Sequence, residues 1–149
     1  VLLTIAEDEE AATRTDGVNI LRNFLAKCPA KILQSTGIGM VFQEAMFPSL
    51  LYLPSLTPEN ESIKLVSAAY DALLVLAQRE ADPQSSSRRT LLDKMLRDGI
   101  LTGYQHASEY IAVVEVLSMK AEAIINQLQM YSAKHVQVGH QLLSVTFQP

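Results

Sequence analysis

Apolar residues return every three or four positions along most of the chain, the period of a helix with one buried face. Val18, Leu21, Leu25 and Cys28 form the first clear stripe, with Phe24 beside it, and predict a helix from about Glu10 to Lys27 that Pro29 stops. A brief helix over Lys31 to Ser35 ends at Thr36-Gly37. Ile38, Val41, Phe42 and Ala45 make a second stripe, which Pro48 interrupts, and Leu50, Leu51 and Leu53 stay apolar up to Pro54. At the next start Thr57 suits a cap, Pro58 the first helical position, and Glu59 and Glu61 the positive end of the helix. Ile63, Val66, Tyr70, Leu73, Leu74 and Ala77 then hold the period to about Arg79.

Glu80 to Ser87 is polar throughout and reads as a mobile surface loop. Ser86 or Ser87 is placed to cap a short helix carrying Leu91, Leu92, Met95 and Leu96, with Gly99 closing it. A long stripe follows: Tyr110, Val114, Leu117, Ala121, Ile124, Ile125, Leu128 and Tyr131. A last segment, from about Ala133 to Phe147, carries Val136, Leu142, Leu143 and Val145. Alternating β-branched runs are almost missing, and Asp16-Gly17 and Asp98-Gly99 lie in or beside helical periodicity. The chain is predicted to be all-α.

Unequal helix lengths and loops that alternate between very short and long fit a four-helix bundle poorly. The opening segment favours another architecture. Leu2-Leu3 end an apolar helix, Asp8 lies in an acidic turn, and Arg14 stands early in the next helix, an arrangement that resembles a HEAT repeat in which the Asp caps and pairs with the Arg. Repeats of about 40–47 residues would give roughly three units, degenerate because no second clean Asp-to-Arg copy occurs. The expectation is a HEAT-like α-solenoid, an armadillo-type superhelix, forming one domain over residues 1–149. Val1-Leu2-Leu3 opens without methionine inside an apolar pattern, and Phe147-Gln148-Pro149 ends where a helix is finishing, so the chain reads as a piece of a longer protein.

Composition narrows the function. Of the 149 residues, 48% are hydrophobic and 19% charged, which is globular and not disordered. The longest apolar run, Ala72 to Ala77, is far short of the roughly 20 residues a membrane span needs. A single cysteine, Cys28, cannot form an internal disulfide and fits a reducing compartment, so cytoplasm or nucleus is expected. Net charge is −4, with no basic stripe and one basic pair, Arg88-Arg89, a poor basis for collecting nucleic-acid phosphates.

Candidate chemistry is sparse. Cys28 sits on an apolar stripe, where a cysteine is an ordinary small core residue. His135 and His140 are five apart, turned about 140° from each other on a helix, and do not share a face for a metal. His106 and Glu109 share a face but supply two ligands where a structural zinc needs four. Gly37-x-Gly39 has no following Lys-Ser/Thr to hold phosphate. Glu7 to Glu10 suit a helix start or a solvated face, and Asp93 with Arg97 an i, i+4 pair. Neither a catalytic constellation nor a cofactor motif is present. As partner-binding candidates stand Tyr104 and His106, near the start of the long helix, and Lys134 and His135 near the second end of the chain.

One stretch is more specific. Gly37 to Ala45, then Leu50-Leu51-Tyr52-Leu53-Pro54-Ser55-Leu56-Thr57-Pro58-Glu59, Glu61-Ser62 and Ala69 to Leu74 resemble the Tel-two-interacting-protein-two family, third subunit of the Triple-T co-chaperone complex. Gly99-Ile100-Leu101 and Ala133-Lys134-His135-Val136 extend the likeness, and Tyr131-Ser132 departs from it where a glycine is expected before the final helix. The resemblance implies a non-enzymatic helical-repeat scaffold without cofactor. Its partners would be the two larger helical-repeat subunits. Through them and the ninety-kilodalton heat-shock chaperone it would assist maturation of the phosphatidylinositol-three-kinase-related kinases. Another HEAT-type adaptor, for transport or a phosphatase, shares the periodicity but not Leu53 to Ser62. A helical-bundle enzyme using Cys28 or a histidine is the remaining alternative.

Overall fold

The structure, a computed structural model, describes residues 2–79 and 85–132, and every regular element among them is helical. In chain order they are α1 (Leu2–Ala6), α2 (Ala11–Lys27), α3 (Ala30–Thr36), α4 (Ile38–Met46), a 3-10 turn (Phe47–Leu51), α5 (Glu59–Gln78), α6 (Ser86–Lys94), a π-helical segment (Met95–Leu101), α7 (Thr102–Ala107) and α8 (Ile111–Ser132). The all-α expectation is met. The last segment expected over Ala133 to Phe147 lies outside the described residues, as do Lys134, His135 and most of the loop expected over Glu80 to Ser87.

Helix α5 is the hub. It touches α2, α4, the 3-10 turn, α6 and α8, and it is buried on more than one side. Small residues make that possible: Ala68, Ala69, Ala72 and Ala77 let neighbouring helices approach, while Leu65, Tyr70 and Leu73 fill the space between them. The α2 stripe of Val18, Leu21, Leu25 and Cys28 is buried as its spacing requires, and Phe24 lies at the edge, meeting Phe42 of α4 edge-to-face at 5.8 Å. On the surface Asp71 of α5 pairs with Lys120 of α8 at 2.6 Å and Arg22 of α2 at 3.7 Å, linking three helices.

Helix ends follow local chemistry. Cys28 takes an extended conformation before Pro29, as a residue preceding proline does, and its carbonyl accepts from Nε and Nη2 of Arg79. That guanidinium, from the end of α5, thus satisfies the negative end of α2. Gly37 has φ 68°, a left-handed conformation that favours glycine, and it separates α3 from α4.

Three boundaries differ from the sequence reading. Pro58, not Thr57, occupies the capping position of α5 with an extended ψ of 139°, so α5 starts at Glu59 and no side chain caps it. Ser85, rather than Ser86 or Ser87, caps α6, its hydroxyl accepting from the Arg88 N–H at 3.2 Å. Ser86 and Ser87 therefore belong to the helix and not to the loop. Ser85→Ala is expected to destabilise the protein by about 1 kcal/mol, measurable as a shift in the urea midpoint, whereas Ser86→Ala at an exposed helical position is expected to be near neutral.

Gly99 closes nothing. The backbone runs on through the π-helical segment into α7, and Gly99 keeps a negative φ. Its role is space: a Cβ there would lie 2.5 Å from the Tyr70 hydroxyl and 3.1 Å from Leu50. Tyr70 is completely buried, its hydroxyl has no hydrogen-bond partner among the described residues, and burial pushes its pKa up. The widened helical turn and the glycine together make room for that ring.

The opening segment departs in its chemistry. Arg14 is buried, yet it does not pair with the Asp8 carboxylate: its Nη1 donates to the main-chain carbonyl of Asp8 at 3.3 Å, while the Asp8 carboxylate accepts from the Glu10 N–H at 2.8 Å. The guanidinium instead donates to Ser49 Oγ at 2.6 Å, to the Ala45 carbonyl at 3.3 Å and to the Tyr52 hydroxyl at 3.3 Å, and stacks on the Tyr52 ring at 4.7 Å. It locks α2 to the end of α4 and the 3-10 turn. Asp93, in turn, pairs with Arg89 at 3.7 Å, one turn before it, and not with Arg97.

Candidate partner-binding surface

Helix α8 is amphipathic and keeps the expected stripe at Tyr110, Leu117, Ala121, Ile124 and Leu128, while Val114 and Ile125 fall outside the packed face. Val113, Leu117 and Ile124 are its buried residues, with Tyr110, Val116, Ala121 and Leu128 packed partly against the core. Contact on more than one side, with α5, α6, the π-helical segment and α7, buries Val113 beside that stripe. Gly103 of α7 allows this approach, since a Cβ there would lie 2.9 Å from a methyl of Leu117.

Other apolar side chains of α8 are left outward. Ile111 is 75% exposed and Met119 66%, values that mark them as uncovered and not as edges of the core. With Ser108, Val114, Glu115 and Ser118 they line a shallow groove of about 400 Å³. Ile125, farther along α8, is exposed as well. An uncovered apolar groove framed by serines and one glutamate has the composition of a surface that another protein can cover.

Of the residues singled out from the sequence, Tyr104 is brought to this region: its hydroxyl is hydrogen-bonded to Ser118 Oγ, a groove residue, at 2.7 Å. His106 is exposed in the last turn of α7. Lys134 and His135 lie outside the described residues. Ile111 and Met119 were not selected from the sequence, because they fall off the buried stripe. The signal for them was there, as isoleucine and methionine on the polar side of an otherwise regular helix.

Reactive groups do not converge. Cys28 is buried, its thiol within 3.8 Å of the Pro29 carbonyl. Among the described residues no group of three or more His, Cys, Asp or Glu stands where it could hold a metal ion, and no helix is long and apolar enough to cross a membrane. The Glu7 to Glu10 cluster lies at the surface, where Glu10 accepts from the Thr13 hydroxyl at 2.7 Å.

What the fold and its surface define is an all-helical protein with an uncovered apolar groove along one long helix. The chain belongs to the Tti2 family, whose model matches residues 1–148. No curated protein and no solved structure matches it.

Proposed function

We propose that the chain is a non-catalytic scaffold subunit of the Triple-T co-chaperone complex, which helps phosphatidylinositol-three-kinase-related kinases to mature with the ninety-kilodalton heat-shock chaperone. Membership of the Tti2 family over residues 1–148 carries this reading. The two larger helical-repeat subunits are its direct partners, and the kinases are reached through them. The architecture that suits this work is a HEAT-like α-solenoid of about three degenerate repeats, one unit across residues 1–149. Successive helices packed around α5, with Arg14 tying α2 to the segment after α4, are compatible with it. The buried, unpaired Cys28 suits a cytoplasmic or nuclear protein.

The α8 groove is the proposed docking surface, with Tyr104 and His106 near its start and with Lys134 and His135, outside the described residues, as further contact residues. Ile111→Asp combined with Met119→Asp tests it. Both side chains are exposed, so the melting temperature is expected to stay unchanged, while affinity for the larger subunit that docks there falls at least about tenfold, or 1.4 kcal/mol. Unchanged affinity for both larger subunits would place docking elsewhere.

A further inference from the structure

A cavity of about 580 Å³ opens on the opposite end of α5 from its start, between α3–α4 and the first turn of α6. Its charge is one-sided. Arg79 and Arg88 line it, and among the described residues no aspartate or glutamate does, although the whole chain carries a net charge of −4. Leu33, Met40, Leu76 and Leu91 supply an apolar wall.

Arg88 is the informative residue. It is 8% exposed, a depth at which an arginine is seldom found without an anionic partner. One Nη2–H reaches the Gln127 side-chain oxygen of α8, but Nε is buried with no acceptor among the described residues. No described carboxylate forms an ion pair with it. Beside it the first turn of α6 lines the same cavity through Ser86 and Ser87, whose amide hydrogens precede the one that Ser85 caps. These amides and the guanidinium contribute positive charge at the same place, and a helix start with a forked cation beside it is suited to a tetrahedral oxyanion.

We infer that the cavity between α4, the end of α5 and the start of α6 binds a phosphate-class oxyanion, held by Arg88, Arg79 and the first turn of α6. The apolar wall gives room for the carrier of a phosphate monoester, whereas free phosphate would use the cationic side alone. This site is separate from the α8 groove, and it stands whether or not that groove docks a partner.

Calorimetric titration of the intact protein with sodium phosphate and with phenyl phosphate, against sodium chloride of equal ionic strength, tests it. Saturable binding of one equivalent is expected. Tighter binding of phenyl phosphate assigns the site to esters, and equal binding assigns it to the free ion. Ser87→Asp puts a carboxylate into the site from an exposed position in the first turn of a helix, where acidic residues are favourable, so folding is retained. It is expected to weaken binding at least tenfold. Arg88→Gln, checked by its melting curve, is expected to weaken it likewise. Glu80 and Asp82, in the stretch joining α5 to α6, are the rival anions. Binding that is absent from the unaltered protein and appears only in Glu80→Gln with Asp82→Asn would overturn the inference, because the chain's own carboxylates would then be the occupant. Absence of saturable binding beyond chloride, or binding that Ser87→Asp leaves unchanged, would overturn it equally.

Discussion

Arg14→Ala is expected to destabilise the protein by about 3 kcal/mol, a large effect for one residue. The argument starts from burial. Arg14 is 5% exposed, and its guanidinium donates to Ser49 Oγ and the Ala45 carbonyl at positions closed to water. Removing it leaves those acceptors without a donor, at roughly 1–3 kcal/mol for each buried group that water cannot reach. The stem and the stack on Tyr52 are lost too. Two further variants separate the contributions. Arg14→Met keeps most of the packing and loses the hydrogen bonds, so it should remain close to the alanine variant if the bonds dominate. Arg14→Lys keeps the charge, but its single ammonium cannot reproduce a fork that meets Ser49, Ala45, Asp8 and Tyr52 together, so only partial recovery is expected. Urea unfolding with an unchanged m-value checks all three. Full recovery by lysine would mean that charge alone matters at this position.

Gly17→Ala is expected to cost about 2–3 kcal/mol, although alanine is the better helix former by about 1 kcal/mol. The gain is overridden by contact with main chain. A Cβ at position 17 would lie 2.5 Å from the Ala6 nitrogen and 2.7 Å from the Ile5 carbonyl carbon, and backbone atoms cannot rotate away as a side chain can. Helix α1 must therefore move off α2, exposing Ala6 and the apolar residues Leu2 and Leu3 that pack on the core. Hydrogen exchange of α1 amides, together with the melting temperature, reads the effect. A stabilised variant with α1 still protected would show that this close approach does not exist in solution.

These two residues also show what was legible in the sequence. Arg14 could be singled out by its spacing from Asp8, and the close linkage of the opening elements followed from it. The partner was wrong: a short acidic turn brings the Asp8 carbonyl, not its carboxylate, to the guanidinium, while the remaining acceptors come from residues more than thirty positions away that no local pattern links to Arg14. Gly17 could be placed on a helix but not explained, since the reason lies in α1 crossing over it. Helices α2, α4 and α5 were readable because one face, or nearly all faces, are buried and the period is strong. The continuation from α6 to α7 was not, because a glycine at the end of a stripe has the same pattern as a stop, and only Tyr70 arriving from α5 gives Gly99 another purpose.

The α8 surface was half legible. Tyr104 could be named from its place before the long helix, and it does reach the groove through Ser118. Ile111 and Met119 were hidden by averaging, as a stripe is read from what recurs, and an uncovered patch is made of what does not. Cys28 went the other way. Its position on a stripe indicated a buried residue, and it is one.

The measurement that tests the central claim most directly is size-exclusion chromatography with light scattering, on the intact protein alone and mixed with each purified larger Triple-T subunit. The account predicts a stoichiometric complex with at least one of them, which disperses when Ile111 and Met119 both become aspartate. Separate elution from both larger subunits, at unchanged mass, would contradict it.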